Sequence, residues 1–60
     1  MSAQLREIEQ LFEELATKLV ALKAAHADDP ETFTRIEFAE QRAKRGAELA
    51  SRARDSIDQA

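Results

Sequence analysis

Few of the chain's many polar side chains have the type or spacing that chemistry requires. The one imidazole, His26, stands among Ala24, Ala25 and Ala27, and no nucleophile is signalled beside it. A lone histidine here reads as a polar residue marking the end of an apolar row rather than as a base or a metal ligand. Nucleophilic catalysis needs a Cys, or a Ser or Thr next to a base; the chain has no Cys, and its hydroxyls have no such neighbour. The Glu-x-x-His signature of di-iron helical bundles is missing, and a single Gly excludes a phosphate-cradling Gly loop. The acidic residues Glu7, Glu9, Glu13 and Glu14 read as a solvated helix face. The expectation is a protein that is not an enzyme and uses no cofactor or metal.

One basic concentration remains: Arg42, Lys44, Arg45, Arg52 and Arg54, against the single acid Glu48. Such a cluster could meet phosphates. However, Glu40–Lys44 and Glu48–Arg52 are favourably ordered i,i+4 pairs, and no Tyr or Trp is present to stack on bases. The net charge of −3 also argues against binding nucleic acid through overall charge.

The elements that must position these residues are helical. In this 60-residue chain Ala, Glu, Leu, Arg, Gln and Lys dominate, with one Gly, one Pro and three Phe as the only aromatics. A chain this short buries only about 60% of its unfolded surface, so regular helix packing, self-association or a partner must supply stability that no disulfide can. No apolar run approaches the ~18 residues of a membrane span, and the N-terminus lacks the pattern of a signal peptide. These features predict a cytoplasmic protein without membrane contact.

Leu5, Ile8, Phe12, Leu15, Leu19 and Leu22 fall at alternating spacings of three and four, one apolar stripe on a helix over about 3–27. In heptad terms Leu5, Phe12, Leu19 and His26 form row a, and Ile8, Leu15 and Leu22 form row d. Ser2 serves as the helix cap, and Glu14–Lys18 as an i,i+4 pair. Leu11 flanks the stripe on one side, Ala16 and Val20 on the other, giving an apolar surface broader than one partner helix covers.

The break is Ala27-Asp28-Asp29-Pro30-Glu31-Thr32, with the turn at about 27–30, Asp29 as N-cap and Pro30 at the first helical position. A second helix over about 30–58 continues the period with smaller residues: Ile36, Ala39, Ala43, Gly46, Ala50, Ala53 and Ile57. A link this short makes the helices antiparallel neighbours. Large residues from the first helix and small ones from the second then form an intrachain seam, with Gly46 allowing close backbone approach. The fold class is all-α, an antiparallel two-helix hairpin, completed to a four-helix bundle by dimerisation or by a partner.

Two helices of this size, a short acidic turn and mixed large and small layers resemble repressor of primer, whose hairpins dimerise into a four-helix bundle binding paired RNA hairpins. That resemblance implies a similar architecture. It does not carry over RNA contacts, because Glu7, Glu13 and Glu14 make the exposed face of the first helix acidic. Asp29-Pro30-Glu31-Thr32-Phe33 is similar to the start of the second helix in small hairpins of type III secretion needles and their co-chaperones. The expected function is a protein-interaction module, as adaptor, chaperone-like subunit or inhibitor. Its partner would be itself, as a homodimer, or a larger protein, through Leu11, Val20, Phe33, Phe38, Leu49, Arg42, Arg45 and Arg52. The alternatives are a nucleic-acid-binding regulator using the Arg-rich face, and a secretion-apparatus subunit or co-chaperone.

Overall fold

A computed structural model describes residues 3–59. The Ser2 cap expected from the sequence lies outside them. Helix α1 spans Ala3–Ala25 and helix α2 spans Pro30–Gln59, and the two pack side by side as an antiparallel hairpin. The described residues include no strand, so the all-α class and the hairpin stand as read from the sequence.

Local chemistry sets the turn. The chain leaves α1 through tight i,i+3 bonds, with His26 N–H donating to Lys23 O at 3.0 Å and Asp29 N–H to His26 O at 3.1 Å. No residue there needs positive φ, so the helix ends without a glycine cap. Asp29 then starts α2: its Oδ1 accepts from Thr32 N–H at 3.3 Å and its Oδ2 from the Thr32 hydroxyl at 2.7 Å. Pro30 follows at the first helical position, where its missing N–H has no intrahelical acceptor. The hydroxyl and amide of Thr32 hold the Asp29 carboxyl below its usual value of 3.8.

The seam differs from the sequence expectation in a systematic way. Rows a and d were expected to face the partner helix. Instead the inward residues of α1 are Leu5, Glu9, Phe12, Ala16, Leu19, Lys23 and His26, and those of α2 include Ile36, Glu40, Ala43, Ala47, Ala50 and Arg54. These are rows a and e, where e is the residue following each d. Ile8, Leu15 and Leu22 on α1, and Ala39, Ala53 and Ile57 on α2, are exposed and do not belong to the intrachain seam. Each helix is thus rotated by about 50°, half a residue step, from the expected register.

The cause is visible in row e. Glu9 faces Arg54, Lys23 faces Glu40, and at the level between them Ala16 and Ala47 are both buried. The residue numbers in each of these pairs add to the same value, as antiparallel register requires. Opposite charges close both ends of the row, and two Ala let the helix axes approach at its middle.

Gly46 belongs to that close approach. A Cβ placed there would meet Phe12 Cε1 at 2.6 Å and Cδ1 and Cζ at 2.8 Å, so the Phe12 ring lies directly over the glycine backbone. The tight contact expected of Gly46 is present, made by one aromatic ring.

Candidate protein-interaction surface

The hairpin encloses very little apolar volume. Its buried apolar residues are Ala16, Ala43, Ala47 and Ala50, and no large side chain is fully buried among the described residues. The large apolar side chains lie elsewhere. Ile8, Leu11, Leu15, Val20 and Leu22 of α1, and Phe38, Leu49 and Ile57 of α2, are between 43% and 59% exposed.

Helical geometry gathers most of these on one side. On both helices row d lies on the same rotational flank of row a, and antiparallel helices turn equivalent flanks to the same side of the hairpin. Ile8, Leu15 and Leu22 therefore share a face with Ala39 and Ala53, beside the exposed Ile57 of row a, while Gly46, in the same row as Ala39 and Ala53, lies under the Phe12 ring. The next row outward carries Leu11 on α1 and Leu49 on α2. Phe38 stands at its α2 rim, whereas Val20 lies on the opposite flank of α1. Of the residues expected to form a partner surface, Phe33 is half-buried beneath Lys23, whose ammonium sits 5.5 Å from its ring centroid.

The charged residues divide into two sets. Glu40, only 5% exposed, accepts from Lys23 Nζ at 2.7 Å through Oε1 and pairs with Lys44 Nζ at 2.8 Å through Oε2. Those two bonds, Lys23 first, hold its carboxyl below the usual 4.5; the same bond to Glu40 raises the Lys23 ammonium above 10.5. At the other end, Arg54 donates to Glu9 at 2.7 Å. No buried polar side-chain atom among the described residues lacks a partner.

No protein family, curated protein or solved structure matches this chain. Function must then be read from the surface itself.

The basic cluster is dispersed. Lys44 is tied to Glu40 and Arg54 to Glu9, while Arg45 and Arg52 share one oxygen of Glu48 at 2.9 and 2.8 Å. Arg42 makes no ion pair among the described residues. Glu14 and Lys18 do not form the pair expected of them. No group of three or more His, Cys, Asp or Glu among the described residues is arranged to hold a metal. No described helix is long and apolar enough to cross a membrane.

Row e was missed in the sequence because only apolar periodicity was followed. Glu9, Lys23, Glu40 and Arg54 carry the signal: on each helix an acid precedes a base by two heptads, so that antiparallel packing sets each acid against a base.

Proposed function

We propose that this chain is a non-enzymatic protein-interaction module of the cytoplasm, acting through the face formed by row d and the next row outward, with Leu11 and Leu49, on both helices. One observation carries the reading: among the described residues four Ala are the buried apolar ones, while eight large apolar side chains are about half exposed, most of them on one side. Monomeric proteins rarely leave contiguous apolar surface of this kind uncovered. Burying it is worth about 25 cal/mol per Å² before association costs. The nucleic-acid alternative rests on Arg42, Arg45 and Arg52, two of which are already engaged by Glu48.

Site-specific photo-crosslinking in cells that make the protein tests the reading. A photoreactive residue in place of Leu15 or Leu49 is expected to give adducts, and one in place of Glu13, on the outer side of α1, is not. Equal adduct formation at all three positions, or none at any, refutes an interaction role for the face.

A further inference from the structure

The chain carries two seams, and the hairpin uses one of them. The observed seam joins rows a and e, closed by the Glu9–Arg54 and Lys23–Glu40 pairs and lined at its middle by buried Ala. The other would join rows a and d. Row a belongs to both, so turning each helix by about 50° about its own axis exchanges row e for row d. Because the two d rows lie on one side of the hairpin, the helices would turn in opposite senses, like meshed gears.

Three features permit the turn. The first is level. Phe12 rests on Gly46, and their residue numbers add to the same value as those of Ile8 and Ala50, Leu15 and Ala43, and Leu19 and Ala39. Rows a and d turned inward therefore set a large residue against a small one at each level, without either helix sliding. The second is low resistance. The buried apolar side chains between the helices are all Ala, which raise only shallow ridges to be crossed. The third is that the ion pairs need not be lost, because row e moves only to the flank of the new seam, where long side chains still reach across.

Opposing forces set the balance. The turn buries Ile8, Leu15 and Leu22, now 43%, 48% and 46% exposed. It also brings the next row outward to the rim of the new seam, with Leu11 opposite Leu49 and Lys18 opposite Arg42. The like charges of Lys18 and Arg42 resist closure, and repulsion between exposed charges is screened by salt. Sulfate in addition strengthens apolar burial. Two packings of one sequence that differ by so little can be exchanged by solution conditions.

We propose that the hairpin is a two-register device: at low ionic strength rows a and e meet and the apolar face is displayed, and at high ionic strength rows a and d meet and the face is withdrawn. As a control over that face the device rests on the interaction reading above; the rotation itself does not.

The chain has no Cys, so Thr17→Cys with Gln41→Cys carries two spin labels at exposed, uncharged positions on the side away from row d. With helix axes 8–10 Å apart and labels about 9 Å from each axis, the pair should lie about 20 Å apart in the observed register and about 27 Å apart after the turn. Pulsed electron resonance on labelled chain diluted in excess unlabelled chain reads the intrachain distance alone. The shorter distance is expected at low salt, and the longer one should grow in as sodium sulfate rises to about 1 M. Lys18→Glu replaces the repulsion by an attraction and should raise the share of the longer distance at low salt. Leu15→Gln leaves the observed seam untouched but places an amide in the other, so both responses should be lost. One unchanged distance across all salts and in Lys18→Glu overturns the device, as does a lengthening undiminished in Leu15→Gln. Photo-adducts of Leu15 with a fixed label distance would leave the interaction function standing and overturn the switch. A salt-dependent distance without adducts would uphold the rotation and overturn its role in controlling an interaction.

Discussion

Gly46→Ala measures how closely the helices meet. Replacing an interior helical Gly by Ala normally stabilises by about 1 kcal/mol, through helix propensity and reduced freedom of the unfolded chain. Here the new methyl would stand 2.6–2.8 Å from three carbons of the Phe12 ring. Comfortable carbon contacts begin near 3.5 Å, so the ring must retreat by about 0.9 Å from a half-buried position. Overpacking of this kind costs about 1–3 kcal/mol. The net expectation is destabilisation by about 1 kcal/mol, a fall in Tm of about 4–8 °C for a chain of this size. In a Phe12→Ala background the obstructing ring is absent, and the same substitution should stabilise by about 1 kcal/mol. The two backgrounds therefore differ in sign, with a coupling energy of about 1–3 kcal/mol. Urea denaturation of the four proteins at one fixed concentration reads this directly, the concentration being held because association contributes to apparent stability. If Gly46→Ala stabilises equally in both backgrounds, the ring does not rest on the glycine and the close approach is wrong.

The remaining predictions concern charge. Glu40 has a depressed carboxyl pKa, so its stabilising contribution is complete above the usual 4.5 and is lost as pH falls through the depressed value. Glu40→Gln should lower Tm at pH 7, and the difference from the parent should shrink as pH drops below 4.5. Lys23 has the opposite sign: its raised pKa gives a contribution complete below 10.5 and lost as pH rises through the raised value, so Lys23→Met should abolish that part of the alkaline loss. Asp29→Ala removes the acceptor for both Thr32 donors and should speed amide exchange at Thr32 and Phe33, with little change near Ala50. If the Arg face binds RNA, Arg42→Ala should reduce both the affinity and its salt dependence; binding that is undetectable at low salt removes that alternative.

The hairpin was legible because its signals are local. Pro30 can only begin a helix here, Asp29 is suited to capping it, and the three-and-four spacing admits no strand. The pairing of the helices was less legible, for a physical reason. Apolar periodicity marks the rows that avoid water in the final assembly, and a lone hairpin cannot bury all of them. Ile8, Leu15 and Leu22 were assigned to the neighbouring helix because they are apolar, whereas Glu9, Lys23, Glu40 and Arg54 were passed over because they are charged. Long charged side chains can nonetheless line a helix contact when each meets its opposite across the seam. Leu11, Phe38 and Leu49 were recognised as lying outside the seam because they break the heptad, and all three are exposed.

The two charged closures also give the hairpin a direction of assembly. Lys23 and Glu40 are seventeen residues apart and Glu9 and Arg54 forty-five, so bringing the second pair together from the open chain is roughly fourfold less probable than the first. Contacts near the turn therefore form first, and each shortens the loop that the next must close. Opening runs the other way, from the Glu9–Arg54 end, where α1 begins and α2 finishes. The hairpin works as a zip with a fixed end and a latch, and releasing the latch uncovers the half-buried Leu5, beside the already exposed Ile8 and Ile57, while leaving the turn intact.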